Sequence, residues 1–273
     1  MTASPVDPLL LVGGLSILTC VLYGSLIGGM RREGGKIRAR TFDLPELLVS
    51  IVLASLFAGL VVKSALGSTS ADAPKITLEQ VIPNSLFFVV MLVGIAGFLA
   101  FRGIDVRVAM GLNRVPLVRA VATGLGLILA AVPLVLSAAL FTQMILRQDA
   151  QEQELVTLFR QAAQQSNRDG LSKILIAGAV IAPVCEEFLF RGFFYVVFKR
   201  YIGAPASALI TAALFAAFHV SLTAFPSLFV LALCFTIAFE KTGSLVVPVT
   251  MHALFNASQL GVLYFISRAP VAG

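Results

Sequence analysis

Two adjacent carboxylates and an arginine, Glu186, Glu187 and Arg191, stand inside IAPVCEEFLFRGFFYVVFKR at 181–200, a segment otherwise apolar enough to enter a bilayer. Ionisable groups in that setting cost roughly 2.5–3.5 kcal/mol each on insertion scales, so they usually face a bundle interior or wet cavity and mark function. The chain has only two histidines, His219 in LFAAFHV and His252 in TMHALFN, both in later apolar segments. A carboxylate and an imidazole sharing a water can act as general base and then general acid. A second imidazole beside an amide such as Asn256 can hold the oxyanion of a tetrahedral intermediate. That set suffices for peptide-bond hydrolysis. A single membrane histidine or asparagine is more simply interhelical hydrogen-bonding glue. Both histidines and the paired carboxylates, however, fall in the last third of the chain, which favours one shared site.

Residues four apart share a helix face, so Glu187 stacks on Arg191, Phe215 on His219 and His252 on Asn256. Glu186 is rotated about 100° from Glu187, so the two carboxylates cannot both meet Arg191. Glu187 is expected to form the buried ion pair, which leaves Glu186 free for chemistry. Pro183 and Pro248 precede Glu186 and His252 by three and four residues. Each removes an intrahelical hydrogen bond and can kink its helix where the site would lie. No GxSxG, HExxH, P-loop or post-strand GxGxxG offers a rival constellation.

These groups need helices to carry them, and the composition supplies membrane helices. Of 273 residues, 58% are hydrophobic and 12% charged, and the mean hydropathy is +0.95. That composition fits a polytopic membrane protein rather than a soluble core. At about 20 apolar residues per crossing, the expected fold is an all-α helical bundle with about eight transmembrane helices, at 8–30, 45–66, 85–102, 118–146, 172–198, 204–220, 225–240 and 244–267. The first run is expected to be a retained span rather than a cleaved leader, because MTASPVD has no basic residue and the apolar run is long.

The +6 charge resides in short loops, such as RREGGKIRAR at 31–40, which argues for membrane orientation and against nucleic-acid binding. Alternate loops are basic. The positive-inside rule makes those faces cytoplasmic and puts the N-terminus, the 67–84 and 147–171 loops and the C-terminus outside. Both of these longer loops are expected to be connectors, although either could cover the site and 148–165, which lacks Gly and Pro, can form a short surface helix. The 204–240 pair is cramped, and one member could be re-entrant. His219 then falls at the outer end of its span while Glu186 lies well inside its own, a mismatch to be resolved by moving a boundary. Cys20, Cys185 and Cys234 are odd in number and far apart, so they suggest neither a disulfide framework nor a metal motif.

The ordered set Glu186-Glu187-x-x-x-Arg191, Phe215-x-x-x-His219 and His252-x-x-x-Asn256 resembles the CPBP family, which includes type II CAAX prenyl proteases and bacteriocin-processing or bacteriocin-immunity membrane proteins, also called Abi proteins. The resemblance covers about residues 172–265. It divides the chain into N-terminal helices of unassigned role at 1–171 and a protease core at 172–267. It implies an intramembrane endopeptidase in the cell membrane, acting on a membrane-associated or prenylated peptide or protein substrate with the lipid bilayer as its other partner. Glu186 and His219 would activate water, His252 and Asn256 would stabilise the oxyanion, and Glu187 with Arg191 would support the site. No cofactor is expected. Zinc is the alternative, since two histidines and a glutamate can complete an open three-ligand site, although Asn256 suits a hydrogen-bond donor better. The competing functions are a non-catalytic scaffold or bacteriocin self-immunity protein using the same polar pocket, and a transporter, which the lack of an inverted repeat disfavours.

Overall fold

The computed structural model describes residues 8–67, 77–146 and 154–268, and those residues are helical with no strand. The helices run in the order α1 (Pro8–Glu33), α2 (Leu44–Gly67), α3 (Leu78–Phe101), the single turn α4 (Val106–Ala109), α5 (Leu117–Leu146), α6 (Glu154–Gln164) and α7 (Arg168–Ile176). A π-helical stretch, Ala177–Ile181, leads into α8 (Ala182–Glu187), and a second, Phe188–Tyr195, leads into α9 (Val196–Phe218). The chain closes with α10 (Phe225–Thr242) and α11 (Val246–Arg268). The connectors start helices with local caps. Thr77 and Gln80 form a capping box, Asp105 accepts from the amides of Arg107 and Val108, and Asn167 accepts from that of Gly170.

Among the described residues, six helices are long and apolar enough to cross a membrane: 10–33, 44–63, 78–101, 117–146, 225–242 and 246–268. The expected spans 172–198 and 204–220 take a different form. The first lies in a rod running from Arg168, in which α and π turns alternate. The second is the short arm of α9 beyond Gly203, which has φ 79° and ψ 167° and breaks the helix. Only glycine adopts that conformation readily. Phe190 packs edge-on against Phe215, so the arm folds back on the rod as a helical hairpin. Large apolar side chains on α1, α2, α3 and α5 point outward, as at Ile17, Val52, Val90 and Leu129. The bundle interior, by contrast, holds Glu187, Arg191 and His252.

The N-terminal helices pack into the same interior as the C-terminal ones. Helix α5 lies against α1, α10 and α11, and α2 lies against α9. One buried cluster joins Phe42, Phe57 and Leu99 to Phe190, Phe194 and Phe215.

The basic loops converge at one end of the bundle. There the Lys36 amide donates to the Glu240 carbonyl at 2.9 Å, and Arg114 Nη1 donates to the Lys36 carbonyl at 2.8 Å. Lys199 Nζ donates to the Ile37 carbonyl at 2.8 Å, and the Leu245 amide donates to the Met110 carbonyl at 2.9 Å. Glycine is required where these loops touch: a Cβ on Gly111 would lie 1.8 Å from the Gly243 carbonyl oxygen.

Candidate active site

Gly203 sets the level of the first two site residues. Glu186 lies 17 residues before it and His219 lies 16 after it, so the hairpin returns His219 to the height of Glu186. This removes the mismatch expected from the sequence. His219 is the C-cap residue of α9, just beyond Phe218, and His219 Nε2 is 4.0 Å from Glu186 Oε2. His252 reaches the same oxygen from α11, with Nε2 3.9 Å away. Both separations are too long for a direct hydrogen bond, and they are the range in which a bridging water is to be sought. Glu186 Oε2 is buried without a hydrogen-bond partner among the described residues.

The other ring nitrogens are anchored. His219 Nδ1 is 2.8 Å from the Phe215 carbonyl oxygen one turn back, so Nδ1 carries the donated hydrogen and Nε2 presents its lone pair in the neutral ring. His252 Nδ1 is 2.9 Å from Glu187 Oε1. That carboxylate oxygen also accepts from Arg191 Nη1 at 2.8 Å, while Arg191 Nη2 donates to the Ala232 carbonyl at 3.1 Å. The Glu187 and Arg191 side chains are 0% and 1% exposed. The guanidinium carbon lies 4.6 Å from the Phe215 ring centroid and 5.1 Å from that of Phe235, an arrangement that gives a desolvated cation aromatic partners. Phe235 also stacks on His252, with centroids 5.2 Å apart.

Asn256 follows from Pro183. Ala182 donates its amide to the Ala177 carbonyl, five residues back. In that π register the Gly178 carbonyl faces residue 183, a proline with no N–H. Asn256 Nδ2 donates to it instead, at 2.8 Å. One amide hydrogen is thereby used, and the second remains for a ligand.

All six residues selected from the sequence thus meet, and the Glu187–Arg191 pair forms as the four-residue spacing requires. His219, His252 and Asn256 line a cavity of about 90 Å³ together with Leu155, Val156 and Gln259. Two features go beyond that set. Helix α6, expected to be a connector, supplies Leu155 and Val156 to the cavity wall. A further buried carboxylate, Glu240, sits toward the basic end, where it accepts from the Tyr195 hydroxyl at 2.6 Å and pairs with Lys199. The only signal of this cluster in the sequence is an acid at the end of an apolar run.

These features define an all-α polytopic protein in which two imidazoles and an amide line one cavity and an acid lies within 4.0 Å of both imidazoles. Residues 169–258 match the family model described as Type II CAAX prenyl endopeptidase Rce1-like. That segment, about a third of the chain, is of the CPBP/CAAX protease family. The match supports a CAAX-type intramembrane endopeptidase in general, acting on peptide substrates, and with the six apolar helices it makes the chain an integral, multi-pass membrane protein. No curated protein and no solved structure matches the chain.

Proposed function

We propose that this protein is a glutamate-dependent intramembrane endopeptidase that uses Glu186 and His219 to activate water. The observation that carries this reading is the position of Glu186 Oε2, buried, free of hydrogen-bond partners, and 4.0 and 3.9 Å from the Nε2 atoms of His219 and His252. A water held there can lose a proton to Glu186 or to the His219 lone pair as its oxygen attacks the scissile carbonyl carbon. The tetrahedral oxyanion then accepts a hydrogen bond from the second Asn256 amide hydrogen. It accepts another from His252 Nε2–H when that ring is an imidazolium, whose charge the Glu187 carboxylate offsets. Transfer of the abstracted proton to the departing amine, as the oxyanion collapses, breaks the C–N bond and leaves a carboxylic acid and a free amine, and the acid proton then passes to the amine or to solvent.

Zinc is the alternative activator. Glu186, His219 and His252 are the residues that would hold it and it would polarise the attacking water there; among the described residues no group of three His, Cys, Asp or Glu side chains is drawn together as a metal site, and no step is routed through one.

The test pairs wild type with Glu186→Gln in detergent, assayed for metal content and for cleavage of a quenched-fluorescent peptide panel that includes a farnesylated member. Cleavage by wild type alone, without stoichiometric metal, supports the proposal. Cleavage that tracks bound zinc replaces it with the metal mechanism. A variant that cuts as fast as wild type removes Glu186 from the chemistry.

A further inference from the structure

A cavity of about 530 Å³ lies at the basic end of the bundle, bordered by α1, α10 and the start of the short arm of α9. It shares no lining residue with the site cavity. Its volume is in the range of ligand clefts, roughly 300–1,000 Å³. The arm contributes Ala204 and Ala208, α1 contributes Ile27 and Met30, and α10 contributes Ile237. Side chains as short as alanine cannot fill the space beside the Gly203 turn, and a groove remains. Bilayer lipid contacts apolar surface anywhere on such a protein, so apolar walls alone say little.

The charged end sets this groove apart. Lys199 and Gly35 also border an adjoining cavity of about 620 Å³, which Arg38 and Arg40 line. An apolar groove thus opens, at Lys199, into a cationic one. Lys199 Nζ donates to the Ile37 carbonyl at 2.8 Å and pairs with Glu240, which leaves the third ammonium hydrogen for a ligand. Glu240 is itself occupied. Its Oε1 also accepts from the Tyr195 hydroxyl at 2.6 Å, and its Oε2 is buried against Gly35, where a Cβ would lie 1.8 Å from it. Arg31, which borders the groove, is exposed, as are Arg38 and Arg40, and none of the three has an acidic partner among the described residues.

Two joined cavities lined by four cations and one already paired carboxylate suit an anion with an apolar tail. Guanidinium groups bind phosphate bidentately. The positive-inside rule assigns this end to the cytoplasmic face, whose leaflet carries anionic lipids. A free phosphate has no use for the apolar groove, and a zwitterionic lipid leaves the cations unanswered.

We infer that the two cavities form a binding site for one anionic phospholipid, with an acyl chain in the groove between α1 and the α9 arm and the phosphate on Lys199, Arg38 and Arg40. The lipid braces the arm whose far end carries His219, and its binding does not depend on the protease reading.

The experiment uses the full-length protein, delipidated in neutral detergent and read by native mass spectrometry. The probes are dioleoyl phosphatidylglycerol, dioleoyl phosphatidylcholine and glycerol 3-phosphate. The expected result is one phosphatidylglycerol per chain, retained under activation that strips phosphatidylcholine. Arg38→Gln combined with Arg40→Gln should weaken binding about thirtyfold. Ala204→Trp, which fills the groove, should remove the adduct. Should Ala204→Trp also lower the lipid-free melting temperature, the arginine pair decides, since those exposed side chains hold no part of the fold. Equal retention of the two lipids, or wild-type affinity in the arginine variant, overturns the headgroup assignment. Displacement of the lipid by equimolar glycerol 3-phosphate shows a site for free phosphate and overturns the lipid. Several lipids per chain, unchanged in a folded Ala204→Trp protein, show only the annular shell and overturn the site.

Discussion

His252 donates from Nδ1 to Glu187 Oε1 at 2.9 Å, and that oxygen also holds the Arg191 guanidinium. The ion pair is therefore more than a local brace on one helix, since it orients an imidazole on α11. Glu187→Gln and Arg191→Ala should each lower stability by about 3–5 kcal/mol, the cost of leaving one buried charge alone. Folded yield on size-exclusion chromatography and thermal melting in detergent measure this. Glu186→Gln should match wild type in both assays, because it removes no hydrogen bond. Normal yield for the Glu187 and Arg191 variants would remove the division of labour between the two carboxylates.

Asn256 and Pro183 make a reciprocal pair. Asn256→Leu leaves the Gly178 carbonyl without a donor, an unsatisfied buried group worth about 1–3 kcal/mol. Adding Pro183→Ala restores an N–H at the position that carbonyl faces. The double variant should regain melting temperature relative to Asn256→Leu without regaining cleavage, which separates the structural hydrogen of the amide from its catalytic one. A double variant no more stable than the single rejects the π-register explanation.

Gly203→Ala places a Cβ on a backbone conformation that only glycine adopts readily, at a cost of about 1–3 kcal/mol. The hairpin that levels His219 with Glu186 should shift with it, so kcat should fall further than the yield does. A Gly203→Ala protein with wild-type kcat would mean that the turn has no part in setting the site.

The convergence of the basic loops bears on orientation. In a background with Cys20→Ser, a cysteine replacing Gln165 should react with a membrane-impermeant maleimide in intact cells, and one replacing Arg38 only after permeabilisation. The reverse pattern would place the site cavity toward the cytoplasm.

The polar constellation was legible because ionisable residues are rare in apolar runs, so Glu186, Glu187, Arg191, His219 and His252 announced themselves. The Glu187–Arg191 contact followed from spacing alone. What the sequence hid was geometry governed by backbone exceptions. A single apolar run at 172–198 reads as one α-helix, whereas the absent N–H of Pro183 draws its start into a π register. Residues 204–220 read as an ordinary span, yet Gly203 turns them into a short return arm. The link from His252 to Glu187 crosses 65 positions of sequence and no local period encodes it. Helix α6 reads as a connector that could cover the site, and its wall-forming role becomes specific only where Leu155 and Val156 join the cavity lining.

The hydrogen bonds at the basic end stitch the 34–43 loop to α10, the α4–α5 linker and Lys199, while the opposite end has α6 leaning on α11. The two ends of the bundle are thus held by different means, backbone hydrogen bonds between loops at the basic end and the packing of α6 on α11 at the other.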